Sequence, residues 1–352
     1  MNDPTKVYCP DCDEHVVEQP VEGLSRRQFI RVVGTQATAL AAVGAMASQA
    51  PRVLADSKPA QSASKPAEDL VRELYATLTA EQKSAVVRPY DDGADRGRPT
   101  RLGMYNRPLG KRVGEVFTAP QQELVEKTLR AICADEEGYR RISRNGRFDS
   151  SGSLQGCGVT IFGDPTQDEF CWQFVSHHLT VRCDGNFKDG NAFGGPMYYG
   201  HSANGYSEQN VFNFQTQSVE SVYEALSEKQ RQQAVIVGRT PGEQIGSVQF
   251  RPEGEAKPGI AYAELTKDQQ QLVEKVMRDV LSPFRKEDVD EVMHIVKATG
   301  GMEKIHLAFY GRNNDQDGLW HFWRLEGPGF VWNYRVLPHV HTFVNISSNL
   351  KA

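Results

Sequence analysis

Two histidine groups carry the clearest chemical potential in the sequence, His177-His178 and His339-Val340-His341. A His-x-His pair on a strand sets two imidazoles on one face, about 6.5–7 Å apart along it, close enough to converge on one ion. His178 and Glu326 each stand six residues beyond a tryptophan, Trp172 and Trp320, in stretches that alternate in the same way. Three histidines and a carboxylate form a borderline donor set suited to a transition-metal ion such as Cu, Fe or Zn. The expected site is one ion held by His178, His339 and His341, with Glu326 as fourth ligand or general base. His201, in a glycine-rich stretch, is a further ligand or acid–base candidate. The alternative is that these histidines satisfy hydrogen bonds and carry no chemistry. His177 should face away from His178, and His294, His306 and His321 read as structural. The chain has no Gly-x-Ser-x-Gly elbow, phosphate loop, or nicotinamide or flavin fingerprint.

These residues need strands to position them. From Cys171 to His178 bulky apolar residues alternate with others, so Trp172, Phe174, Ser176 and His178 share one strand face. Trp320, Phe322, Arg324 and Glu326 share a face in the later stretch. The tryptophans and phenylalanines read first as sheet core, and second as a wall around the site. Helical periodicity predicts an amphipathic helix over 67–87 and another over 119–134, with strands over 156–162 and 170–183. A glycine- and asparagine-rich segment, 184–206, reads as a long loop. The second half repeats this order. Tyr75 and Tyr223, Gln82 and Gln230, Leu124 and Leu272, and Trp172 and Trp320 all differ by 148. That constant offset maps His178 onto Glu326. The second half also carries an additional helix over 286–298. The expected fold is α+β, with internally duplicated helix-helix-strand-strand units packing about a pseudo-twofold and mainly antiparallel sheets.

The chain has 352 residues, 39% hydrophobic and 24% charged, with a net charge of -5. That balance gives no basic face for nucleic acid. Residues 1–55 read as a twin-arginine signal peptide with a long n-region: Ser25-Arg26-Arg27-Gln28-Phe29-Ile30 precedes an alanine-rich run and a cleavage site at Val53-Leu54-Ala55. The expected export partner is the twin-arginine machinery, with a periplasmic or secreted product and no stable membrane insertion after cleavage. Cys9-x-x-Cys12 with His15 belongs to that leader. Residues 56–67 read as a linker, 68–210 as a first repeat with a glycine-rich loop, and 211–352 as a second repeat ending in the His-x-His strand. Cys133, Cys157, Cys171 and Cys183 allow two disulfides or buried free thiols.

The stretch from Trp172 to Leu179 with its histidine pair, Gly195-Pro196 with Gly200, the helix around Ala225 to Ala234, Glu326-Gly327-Pro328 and His339-Val340-His341 together resemble the bacterial secreted domain-of-unknown-function family 3500. Ser176 stands where that family usually has glycine. The resemblance implies export and a histidine-marked site without assigning a reaction. The leading expectation is an exported mononuclear metalloenzyme acting on a small-molecule substrate. Redox or oxygen chemistry stands slightly ahead, because twin-arginine export carries folded, cofactor-loaded proteins. Zinc-type hydrolysis and a non-catalytic periplasmic metal- or ligand-binding module are the alternatives.

Overall fold

The computed structural model describes residues 66–349 except 186–189, 239, 253 and 312–319, so the expected leader and most of the linker lie outside the described residues. The first half contains α1 (Ala67–Thr77), α2 (Ala80–Val86), β1 (Val87–Arg88), α3 (Val113–Val116), α4 (Ala119–Ala131), α5 (Glu136–Ile142), β2 (Gly158–Gly163), β3 (Phe170–Ser176), β4 (Leu179–Asp184) and β5 (Met197–His201). The second half contains α6 (Asn213–Ala225), α7 (Glu228–Ala234), β6 (Val235–Ile236), β7 (Ile260–Ala261), α8 (Lys267–Leu281), α9 (Lys286–Ala298), β8 (His306–Gly311), β9 (Trp320–Gly327), β10 (Phe330–Arg335) and β11 (Val340–Ile346).

Local sequence sets several of these boundaries. The helix expected over 67–87 is two helices, because Thr79 caps a new start: its hydroxyl accepts from the Gln82 N–H, and the Gln82 amide oxygen accepts from the Thr79 N–H. Ser227 and Gln230 make the same box before α7, as do Thr118 with Gln121 before α4 and Thr266 with Gln269 before α8. The boxes are then joined in pairs. Gln82 and Gln121 exchange amide hydrogen bonds of 2.7 and 3.1 Å, and Gln230 and Gln269 exchange two of 2.9 Å. Each pair ties a short helix to the long helix beside it.

The strands form one eleven-stranded sheet in the order β1-β2-β3-β4-β5-β11-β10-β9-β8-β6, with β7 beside β8. The β1–β2 and β6–β8 pairs near the two edges are parallel, and the others are antiparallel. The fold is therefore α+β, as the sequence predicts. Read inward from either edge, the order of elements is the same, and β5 of the first half meets β11 of the second in the middle.

The sheet has two buried faces of different character. One carries Trp172, Phe174, Leu179, Val181, Phe309, Trp323, Leu325, Trp332 and Val344, and packs under the helices in the main core. Each such side chain taken from water contributes roughly 1.5–3 kcal/mol. The other face carries polar side chains that fasten two long loops to the sheet. Arg182 Nε donates to Arg101 O at 2.6 Å and Thr180 Oγ1 donates to Tyr105 O at 2.6 Å. In the second half Arg324 Nη1 donates to Ser247 O at 2.7 Å and Asn345 Nδ2 to Val248 O at 2.9 Å. Loop carbonyls that a polar side chain satisfies can be buried at little cost.

Three expectations are corrected. The glycine-rich segment 184–206 contains β5, a central strand. The helix α9 has a shorter counterpart, α5, at the matching place in the first half, so it is not an addition. Most consequentially, the offset of 148 does not persist into β9. Ile161 and Phe309 differ by 148, yet Ile161 pairs with Trp172 whereas Phe309 pairs with Trp323. The next strands agree, with Trp172 opposite Cys183 and Trp323 opposite Tyr334. The β8–β9 connection, which has a register shift at Tyr310/Gly311, is effectively three residues longer. Trp172 therefore corresponds to Trp323, Val175 to Glu326, and His178 to Gly329.

Candidate metal centre

His178 does not continue a strand. It follows His177 in the two-residue turn between β3 and β4, with φ at +58°. A left-handed histidine is strained unless its surroundings hold it. Here its N–H donates to Asn106 Oδ1 at 2.6 Å, and its carbonyl accepts from the Gly200 N–H at 3.0 Å. Gly200 lies opposite His341 in the β5–β11 pair. A Cβ there would stand 2.2 Å from Val340 O, so only glycine lets these strands close around the site. His341 lies on β11 and His339 just before it, after a cis Leu337–Pro338 bond.

The structure brings His178, His339 and His341 together, all buried. His339 Nε2 is 3.1 Å from His178 Nε2 and 2.9 Å from His341 Nε2. The opposite ring nitrogens meet carboxylates: His178 Nδ1 is 2.8 Å from Asp149 Oδ2, and His341 Nδ1 is 3.1 Å from Glu243 Oε2. An ionised carboxylate only accepts, so both Nδ1 atoms carry the proton and both Nε2 atoms present lone pairs to the centre. A proton on His339 Nε2 serves one neighbour well, whereas a cation serves all three. An ion about 2.0–2.1 Å from two imidazole nitrogens separates them by about 2.9–3.4 Å as the angle at the ion opens from about 90° to 109°. The distances fit that range, and this buried group can hold a metal ion.

Each orienting carboxylate is itself held by an arginine that also grips backbone at or beside one of the three histidines. Arg144 Nε lies 3.2 Å from Asp149 Oδ2, and Arg144 Nη2 donates to His177 O at 2.6 Å. Arg335 Nη1 lies 2.7 Å from Glu243 Oε1, and Arg335 Nε donates to His339 O at 3.2 Å. Burial, then the neighbouring imidazoles and Arg144, push His178 well below the ordinary histidine range, which keeps it neutral and able to ligate. Tyr198 stands edge-on to His341 at 5.4 Å and stacks on Phe343 at 4.9 Å. The apolar wall beside the site is this pair and not the tryptophans, which pack in the core under the helices.

Glu326 is not part of the centre. It lies on β9, two strands from β11 and level with Asn345, roughly 16 Å from His341 by strand spacing. Its carboxylate is taken by Arg324 Nε at 2.6 Å and Arg251 Nε at 2.8 Å. The expected convergence fails because the offset that equated Glu326 with His178 is three residues out of register. His201 stands aside: its Nε2 is 3.8 Å from Asp149 Oδ1, its Nδ1 accepts from the Val211 N–H, and burial lowers its pKa. His177 is near the centre but turned from it, its Nδ1 accepting from the Ser150 N–H at 3.2 Å. Asp149 and Glu243 were not legible as site residues, because both sit in segments without periodicity. Cys133, Cys157, Cys171 and Cys183 are buried, and Cys133, Cys157 and Cys183 are free thiols. Burial pushes the thiols of Cys133 and Cys157 up to about 12.

Among the described residues no helix is long and apolar enough to cross a membrane. No curated protein and no solved structure matches the chain. A family model does match residues 60–348, which span the sheet, its helices and all three converging histidines, and the chain belongs to that family, described as a protein of unknown function, DUF3500.

Proposed function

We propose that this protein is a mononuclear metalloprotein in which His178, His339 and His341 bind one transition-metal ion, and that it acts as a metal-dependent enzyme on a small molecule. The observation that carries this reading is the meeting of three Nε2 atoms, two of them made lone-pair donors by Asp149 and Glu243. A proton on His339 Nε2 can satisfy only one of the two lone pairs that face it, whereas one ion would serve all three nitrogens. A histidine whose far nitrogen donates to a carboxylate is the usual setting of a metal ligand.

Three neutral imidazoles without a ligating carboxylate favour Zn or Cu over the two-histidine, one-carboxylate pattern of non-haem iron. With Zn the ion would supply Lewis acidity and a coordinated water with a pKa of about 7, which suits hydrolysis or hydration. Cu is the second reading, favoured by Tyr198 packed edge-on against the ligand His341. Export through the twin-arginine route, supported by Arg26-Arg27, belongs to the same reading. So does a tandem duplication, supported by the shared order of elements and by the paired glutamines at an offset of 148.

Elemental analysis of gently purified protein tests the proposal. The expected result is near one equivalent of Zn or Cu in the wild type, lost in the His339→Ala/His341→Ala variant. Less than about a tenth of an equivalent of any transition metal in the wild type would overturn it, since a preformed site of this kind retains its ion.

A further inference from the structure

On the outer side of the His177–His178 turn lies a cavity of about 360 Å³ whose lining includes Asn106, Arg107, Arg112, Ser150, Ser151 and His177. Among the described residues no acidic side chain lines it. It has two guanidinium groups, two serine hydroxyls and an imidazole. Because His177 Nδ1 accepts from the Ser150 N–H, the neutral ring carries its proton on Nε2 and is a donor there. The Asn106 oxygen is turned to the His178 N–H. The Arg112 side chain is exposed, and the neighbouring Glu115 carboxylate is turned to the Arg112 backbone N–H at 2.6 Å. The donors thus outnumber the acceptors, and the net side-chain charge is positive. That is the chemistry of an oxyanion cradle, since arginines match the planar edges of carboxylates and phosphates.

The cavity is joined to the three-histidine centre by two direct links. The His177 and His178 rings lie 3.8 Å apart between centroids, and Asn106 fixes the His178 backbone. We propose that this cavity binds a small organic oxyanion, the carboxylate or phosphate group of the substrate, beside the metal centre. The identity of that group as part of the substrate rests on the metalloenzyme reading, whereas the anion site itself stands on the cavity alone.

Calorimetric titration of the full chain with acetate and, separately, inorganic phosphate at fixed ionic strength tests it, with metal content measured on the same samples. Saturable binding of at least one anion is expected, weakened about tenfold or more by Arg112→Gln and by Arg107→Gln. Lys111→Gln, beside the cavity but outside its lining, should bind like wild type. The stronger of the two anions names the source as carboxylate or phosphate. Absence of saturable binding, or equal binding by wild type and Arg112→Gln, overturns the anion site whatever the metal content. Anion binding without metal leaves the cavity standing and removes the metalloenzyme reading.

Discussion

The Nε2 atoms of His178 and His339 stand 3.1 Å apart, although 161 positions of sequence separate the two residues. One comes from a hairpin turn of the first half and the other from the entry to β11 of the second. They meet because β5 and β11 pair at the middle of the sheet. The centre therefore needs both halves folded and joined. With both orienting carboxylates in place, the Nε2 atoms of His178 and His341 present lone pairs toward His339, and on the proposed reading one ion would serve all three nitrogens.

Metal should accordingly stabilise the fold. A ligand present at a hundred times its dissociation constant adds about 2.7 kcal/mol to unfolding. Thermal unfolding of chelator-treated protein should move upward by several degrees on adding back Zn or Cu. The His339→Ala/His341→Ala variant should show no such shift. An unchanged melting temperature with every first-row divalent ion tested would contradict a preformed centre.

Asp149 and Glu243 are predicted to act through the ligands and not on the ion. Asp149→Asn and Glu243→Gln should each weaken metal binding about 10- to 100-fold, the usual cost of removing a carboxylate behind a ligating histidine. Competition against a chromogenic chelator measures this. Wild-type affinity in both variants would mean that the carboxylates do not set the histidine tautomers.

The sequence made the three converging histidines legible through residue type and spacing, and the long helices through their periodicity. The constant offset of 148 placed α4 and α8 at matching positions as well, Leu124 against Leu272. Glu326 misled for a physical reason. Trp320-His-Phe322 repeats the Trp172-Gln-Phe174 spacing, but Trp323 is the residue that takes the position of Trp172. Three extra residues in a connection leave no trace in alternation, because a strand reads the same apart from which face it presents. The carboxylates behind the ligands were hidden for another reason. Asp149 and Glu243 approach from irregular segments, where no period announces which side chain will reach the site.

Glu326→Gln separates these roles. The variant should keep its metal, because the carboxylate is remote from the histidines. It should lose stability, because Arg324 and Arg251 would face a neutral amide on a buried face. Breaking a buried ion pair by removing one partner costs about 3 kcal/mol. Denaturant midpoint and metal content on the same preparation check both halves of the statement. Loss of metal with unchanged stability would restore Glu326 as a ligand.

Glu68 and Arg285 make the acid response testable. Glu68 sits in the first turn of α1 and Arg285 directly precedes α9, with Arg285 Nη2 2.7 Å from Glu68 Oε1. Burial alone would raise the Glu68 pKa, but the Arg285 hydrogen bond and charge outweigh it and hold the carboxyl below its ordinary value of 4.5. A carboxylate with a depressed folded-state pKa stabilises the protein fully above the unfolded value. That stabilisation is lost as pH falls from there through the folded value. Wild-type stability should therefore drop on acidification below about pH 4.5. Glu68→Gln should be weaker by about 2 kcal/mol at pH 7 and lose less between pH 5 and pH 3, so that the two stability curves converge in acid. Unfolding midpoints measured at intervals across that range decide the matter. Parallel curves would mean that this pair carries none of the acid sensitivity.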